Sequence, residues 1–127
     1  MIRGVGIDLV RIERMKRILS SSRGESFQKR CFTPAERSFA VTRGKAAAAT
    51  LAARWAAKEA AAKALGCGIG VNCALLDLEV TMAENGAPRL LLSGAAARYV
   101  AAHGGGSFHI SLTHEEEYAS AVVIWEI

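Results

Sequence analysis

Residues 54–66, "RWAAKEAAAKALG", are the most informative segment of this chain. Alanine is the strongest helix former and Gly66 is typical of a helix end, so we predict a long helix from about Ala46 to Leu65. Side chains this small let neighbouring elements approach closely, which favours a helix at the centre of the core. Charged side chains on such a helix need a partner or a ligand, because an isolated buried charge is costly.

Residues three and four positions apart share one face of a helix. One such stripe consists of Trp55, Glu59, Ala62, Lys63 and Gly66. Lys58 lies beside this stripe, and Arg54 lies one turn below Lys58. A Glu59–Lys63 surface pair worth about 0.3 kcal/mol is one interpretation of these charges. A functional site is the other, and the alanines around the charged residues favour it.

A second carboxylate lies in "IRGVGIDLV", residues 2–10, which we predict to be a strand ending at about Val10. Asp8 is unfavourable within a strand, and capping the next helix is one interpretation of it. Mg²⁺ binding together with Glu59 is the alternative, because Mg²⁺ takes one or two carboxylates, waters and substrate phosphate oxygens.

The remaining patterns predict one α+β domain spanning residues 1–127, with an antiparallel sheet packed on the long alanine-rich helix. We predict a basic helix over residues 11–21 and a helix that begins with Thr33 as N-cap, Pro34 in the first turn and Glu36 completing a capping box. Strands follow at 75–82 and 89–93, then a helix at 94–103. The chain closes with a predicted hairpin, whose strands cover residues 107–114 and 118–127 and whose turn contains three glutamates.

Composition narrows the class of protein. The formal net charge is +4 and the pI is near 9.3, which suits a phosphate ligand, a nucleic acid or an acidic protein as partner. Cys31, Cys67 and Cys73 form neither a CxxC motif nor a Cys/His pattern, so we interpret them as small hydrophobic residues of a protein in a reducing compartment. No run approaches about 18 apolar residues and no signal peptide is recognisable, so we expect a cytoplasmic protein without a membrane partner.

Three segments together resemble a known family: "GVGIDLV" (4–10), "RWAAKEAAAKALGCGIG" (54–70) and "FHISLTHEEEYASAVVI" (108–124). In residue type, order and spacing they are similar to the holo-acyl carrier protein synthase group of 4′-phosphopantetheinyl transferases. "FTPAER" (32–37) and "NGAPRL" (85–90) resemble intermediate segments of that family. The resemblance therefore covers nearly the whole chain.

This resemblance implies an enzyme of fatty acid biosynthesis that moves the 4′-phosphopantetheine arm of coenzyme A to a serine of apo-acyl carrier protein, or of a carrier domain in a synthase. The released product is adenosine 3′,5′-bisphosphate. Asp8 and Glu59 match the family's Mg²⁺ ligands, and Lys63 completes the implied catalytic set. Either Glu59 or a metal-ordered water is the implied base. The implied coenzyme A contacts are Arg54, Lys58, Lys63, Gly66, Gly86, Pro88, Ser111, Thr113 and His114.

The resemblance also concerns partners. The family's acidic carrier docks on the basic helix after Asp8, which implies carrier contacts at Arg11, Arg14, Arg17 and Arg23, with Arg14 foremost; a solvated basic face is the alternative. Compact family members are homotrimers with active sites at subunit interfaces, so a homotrimer is implied here. Trp55 either belongs to the core or borders the carrier site, and we favour the core.

Two other classes of protein compete with this interpretation. A nucleic-acid-binding module would suit the basic pI, but only 6% of the residues are aromatic and no nucleic-acid motif is recognisable, so we expect no nucleic-acid partner. A non-catalytic trimer of the same fold would have no need of Asp8, Glu59 and Lys63 together. The sequence therefore favours the enzyme.

Overall fold

The computed structural model describes all 127 residues. The chain forms five helices and five strands, in the order β1 (Ile2–Arg11), α1 (Ile12–Ser20), α2 (Gly24–Cys31), α3 (Pro34–Thr42), α4 (Ala47–Leu65), β2 (Leu78–Met82), β3 (Pro88–Leu92), α5 (Gly94–Ala102), β4 (Ser107–His114) and β5 (Tyr118–Glu126). Short 3₁₀ turns cover Gly44–Ala46 and Leu75–Asp77. No helix combines the length and the apolar character that crossing a membrane requires.

The strands form two antiparallel sheets. The larger has the order β1-β5-β4, and the smaller is the β2–β3 hairpin. Helix α4 packs against one face of the larger sheet, and the Ala60 and Ala64 carbonyls touch β1. The predicted α+β fold, with antiparallel sheet on an alanine-rich helix, is confirmed; the strands divide into two sheets where one was expected.

Helix α4 is the centre of the molecule, and twelve of its nineteen residues are buried. Its alanines let β1 lie directly on the helix backbone. A Cβ atom added to Gly4 or Gly6 would lie 1.9 or 1.8 Å from the carbonyl oxygen of Ala64 or Ala60. Because no side chain fits at these two positions, the glycines of "RGVG" are required for this contact.

Two hydrophobic clusters meet along α4. One joins the C-terminal half of the helix to both sheets through residues such as Leu78 and Val123. The other joins its N-terminal half to α1, α2 and α3 through residues such as Met15 and Phe32. Val10 packs against both clusters, so the end of β1 lies where they meet.

Most predicted elements are confirmed. Helix α4 ends at Leu65, and Gly66 adopts the left-handed conformation with φ 82°. Thr33 and Glu36 form the predicted capping box at the start of α3. The closing hairpin pairs β4 with β5 as expected.

One helix was not predicted, and one strand boundary was wrong. Helix α2 was not predicted, because it has only eight residues and its N-cap, Arg23, makes no side-chain capping bond. The strand predicted from residue 75 begins only at Leu78. The preceding residues form a 3₁₀ turn, in which the Asp77 carboxylate accepts hydrogen bonds from the backbone N–H groups of Ala74 and Ala96.

Candidate active site

A cavity of about 700 Å³ opens between β1, α1 and the middle of α4. Its charged lining residues are Asp8, Arg11, Arg14, Arg17 and Glu59. Its apolar lining residues are Leu9, Val10, Met15, Ile18, Phe27 and Trp55. Two carboxylates therefore share one cavity with an apolar wall, formed by these six residues, and a basic rim, formed by Arg11, Arg14 and Arg17.

Asp8 and Glu59 reach this cavity from different elements. Asp8 lies on the same face of β1 as Gly6, the face that contacts α4, and Glu59 precedes the alanine whose carbonyl touches Gly6. Burial, and next the charge of Asp8, raise the pKa of the Glu59 carboxyl, while Lys63 acts in the opposite direction. The mutual effect of two nearby carboxylates favours the binding of a cation between them.

The helix-cap interpretation of Asp8 was wrong. Asp8 lies inside β1, three residues before Arg11, which occupies the N-cap of α1 and makes no side-chain capping bond. The Asp8 carboxylate is instead available on the cavity side of the strand.

Lys63 lies beside Asp8. Its Nζ donates to the Ile7 carbonyl at 2.9 Å and to Asp8 Oδ1 at 3.4 Å, and its side chain is 55% exposed. The Glu59–Lys63 surface pair considered from sequence does not form, because the Lys63 ammonium reaches across to β1. An exposed ammonium next to two carboxylates can contact a phosphate group bound there.

The donor set limits which metal could bind. The chain contains no group of three or more His, Cys, Asp or Glu side chains arranged to hold a metal ion. Two carboxylates in a solvent-open cavity fit Mg²⁺, which obtains its remaining ligands from water and substrate phosphate oxygens. Asp8 and Glu59 thus suit an ion that is shared with a substrate.

Arg54 lies deeper, on the α3 side of α4. Arg54 is only 3% exposed, and its guanidinium lies 4.4 Å from the centre of the Phe39 ring. Its Nε atom has no hydrogen-bond partner. Burial lowers the pKa of Arg54, although Glu36 opposes that shift. Arg43 lies against the same ring at 5.8 Å. A buried cation with an unused donor is suited to an anion.

The prediction that Lys58 contacts coenzyme A was wrong. Its side chain is fully buried, and Nζ is 2.7 Å from Glu36 Oε1. Nζ also donates to the carbonyls of Cys31, at 2.8 Å, and Leu75, at 3.0 Å. Burial lowers the pKa of Lys58, and the Glu36 carboxylate opposes the shift. Since all three donors have protein acceptors, none is left for a ligand.

The predicted nucleotide contacts outside α4 do not line the cavity within one subunit. By strand register, Ser111 and Thr113 lie on the sheet face opposite Asp8, whereas His114 shares its face at the end of β4. Gly86 lies in the turn of the β2–β3 hairpin with φ 83°, and Pro88 starts β3. Gly66 is exposed at the end of α4.

The predicted docking arginines have different positions. Arg11, Arg14 and Arg17 line the cavity, whereas Arg23 is exposed at the start of α2 and does not. The Arg11 guanidinium donates to the Tyr118 hydroxyl at 3.2 Å and lies over that ring.

Trp55 packs against the core, as favoured from sequence, and one side of it borders the cavity. Its ring packs on Phe27 with a centroid distance of 5.7 Å and lines the cavity. Sequence reasoning missed Phe27 because it lies on the unpredicted helix α2. It also missed Tyr118, whose position opposite Arg11 follows from strand register alone.

Comparison with known proteins places these features in a family. A family model described as the 4′-phosphopantetheinyl transferase superfamily matches residues 4–123. The holo-[acyl-carrier-protein] synthase of Halorhodospira halophila is 45% identical over 98% of this chain and 97% of its own. This chain belongs to the 4′-phosphopantetheinyl transferase superfamily.

Two solved structures indicate the group within this superfamily to which the chain belongs. The holo-[acyl-carrier-protein] synthase of Neisseria meningitidis superposes with a TM-score of 0.91, at 31% identity and full coverage of both chains. The Bacillus anthracis synthase, in complex with CoA (3′,5′-ADP), gives a TM-score of 0.83 at 35% identity, with coverage of 99% of this chain and 97% of that one. Within the superfamily, the chain is a member of the holo-acyl carrier protein synthase group.

Proposed function

We propose that this chain transfers the 4′-phosphopantetheine arm of coenzyme A to a serine hydroxyl of an apo-acyl carrier protein or carrier domain, in a Mg²⁺-dependent step of fatty acid biosynthesis. The observation that carries this proposal is the meeting of Asp8, Glu59 and Lys63 beside one cavity with a basic rim. The coenzyme A-type ligand of the Bacillus anthracis relative supports the substrate.

Asp8 and Glu59 would hold the Mg²⁺ ion. When bound, such an ion neutralises phosphate charge and stabilises the leaving group. Lys63 would contact the pyrophosphate from beside Asp8. In the reaction the serine oxygen would form a bond to the β-phosphorus, and the bond from that phosphorus to adenosine 3′,5′-bisphosphate would break. Either Glu59 or a water ordered in the metal site would accept the serine proton.

Arg54 would bind a phosphate of the nucleotide half of coenzyme A, since its guanidinium is buried and its Nε has no partner. Gly66, Gly86, Pro88, Ser111, Thr113 and His114 stay predicted contacts of the same substrate. Ser111 and Thr113 lie on the outer sheet face, so they would act across a subunit interface.

The carrier would dock on α1. Arg14 and Arg17 lie at the cavity rim, next to the carboxylates, and Arg11 and Arg23 extend the basic surface to both sides. An acidic partner held there would present its serine close to Asp8 and Glu59. Such contacts act mainly on the association rate and its salt dependence.

The active assembly would be a homotrimer. Val5, Ile7 and Leu9 are exposed in a row on the outer face of β1, where no other element of the chain covers them. A contiguous apolar sheet face of this kind is typical of a subunit interface. The trimeric state itself comes from the family resemblance, and a cytoplasmic location is proposed from the cysteine content.

Intact-mass spectrometry tests the reaction. We expect apo-carrier incubated with coenzyme A, Mg²⁺ and this protein to gain the mass of one phosphopantetheine group, and EDTA to prevent the gain. A free carrier protein and a carrier domain excised from a synthase are both assayed, because either could be the acceptor. If the folded protein modifies neither acceptor, the proposed function is contradicted.

A further inference from the structure

The interior contains one ion pair whose two side chains are fully buried, between Glu36 of α3 and Lys58 of α4. The Glu36 carboxylate also accepts the backbone N–H groups of Thr33 and Val80, each at 2.9 Å. The Lys58 ammonium also donates to the Cys31 and Leu75 carbonyls. Each charged group therefore makes three hydrogen bonds.

These bonds reach the backbone of four segments around α4. They fix the end of α2, the start of α3, the 3₁₀ turn before β2, and β2 itself. Well-packed apolar residues often replace a buried ion pair without loss of stability, so the pair is not explained by stability alone. Its distinctive property is that it defines where four backbone segments lie relative to one helix.

The surroundings of Trp55 on one side of α4, and of Arg54 on another, depend on those segments. On α2, Phe27 packs on Trp55 and lines the cavity. On α3, Phe39 supports the Arg54 guanidinium. Arg54 and Trp55 lie about one helical turn before Lys58, and Glu59 is the next residue.

We propose that Lys58 and Glu36 are a positioning pair, which sets α2 and α3 against α4 and so places the cavity wall at Phe27 and the support of Arg54. Neither residue touches a substrate. The kinetic part of this inference rests on the proposed function, whereas the structural part can be measured without it.

The double variant Lys58→Met, Glu36→Gln removes both charges, so that neither is left buried alone. We expect it to fold but to lose the bonds to the Cys31 and Leu75 carbonyls. For equal amounts of folded enzyme, KM for coenzyme A and for the carrier should each rise about tenfold, less than the roughly hundredfold loss that a 1 Å misplacement at a site can cause. Val100→Ala, a buried substitution on α5, is the control for lost stability and should leave both KM values unchanged.

Trp55 fluorescence provides a readout that is independent of activity. With Trp125→Phe in every protein compared, Trp55 is the single tryptophan, and its contact with Phe27 reports the position of α2. The double variant should shift Trp55 emission to the red, and Val100→Ala should not.

Unchanged Trp55 emission in the double variant, or unchanged KM values, would overturn the positioning role. A wild-type protein without transferase activity would refute the proposed function and leave the fluorescence test intact. If the double variant does not fold, Glu36→Asp replaces it, because it keeps both buried charges and only shortens the carboxylate's reach by one methylene. Smaller shifts are then expected in the same direction, with the same overturning results.

Discussion

Gly6 allows the strand that carries Asp8 to lie directly on the helix that carries Glu59. Its absent side chain leaves the Ala60 carbonyl in contact with β1, and the two carboxylates lie to one side of that contact. The candidate site thus depends on a residue without a side chain as much as on the charged ones.

Replacing Gly6 with alanine should destabilise the fold strongly. The new Cβ would lie 1.8 Å from a backbone oxygen, so the strand must move, at a cost of about 3 kcal/mol in the free energy of unfolding. Urea denaturation measures this cost. Gly70→Ala is the matched control, because a Cβ there meets no atom within 4 Å and its φ is not positive; equal stability of the two variants would contradict the account.

The two lysines of α4 show how far the sequence determines residue roles. Both were predicted to contact coenzyme A, yet Lys63 is exposed beside Asp8 while Lys58 is buried against Glu36. Asp8 and Glu59 could be paired from sequence because both are carboxylates in places where a structural role explains them poorly. Both also match metal ligands of the family that the chain resembles. The partner of Lys58 lies 22 positions earlier, and the capping box already explained Glu36, so only the packing of α3 on α4 reveals their contact.

Helix α1 has two chemically different faces. Its apolar residues Ile12 and Met15 are buried in the core, and its arginines line the cavity rim. This helix was predictable because apolar spacing and basic residues both repeat along it. Helix α2 was not, since its eight residues are mostly polar and its stability comes from contacts such as Phe27 with Phe32 and Trp55.

Arg14→Ala tests the role of α1. If the carrier docks here, KM for the carrier should rise about fivefold, as expected from losing about 1 kcal/mol of charge–charge attraction, and the effect should shrink at high salt. KM for coenzyme A should stay near the wild-type value. Arg98→Ala, an exposed arginine on α5, should change neither; equal increases for both substrates would contradict docking on α1.

The larger sheet has one face on α4, and its other face is uncovered. The uncovered row on β1 includes Ile7, which is 63% exposed. The sequence predicted the sheet and the family resemblance implied a trimer. Neither of them indicated which face of the sheet would form the subunit interface, because strand register decides which residues share a face.

If the proposed trimer forms through this face, Ile7→Asp should disrupt it. A charge in an apolar subunit interface is unfavourable, so sedimentation should shift from three copies of the 13.5 kDa chain toward one. Transfer activity should fall with the trimer fraction if Ser111 and Thr113 act across the interface. Val71→Asp, in an exposed loop away from the sheet, is the control; a trimeric Ile7→Asp protein would contradict an interface on this face.

The proposed function depends above all on Asp8 and Glu59 as the metal-dependent transfer site. The most direct measurement compares Glu59→Gln with Glu25→Gln, an exposed control on α2, by the initial rate of carrier mass gain over a range of Mg²⁺ concentrations. We expect Glu59→Gln to stay folded and to lose at least about a hundredfold in rate, because about 3 kcal/mol of metal-dependent stabilisation is removed, and Glu25→Gln to match the wild type. A folded Glu59→Gln protein with the wild-type rate and Mg²⁺ dependence would contradict the claim.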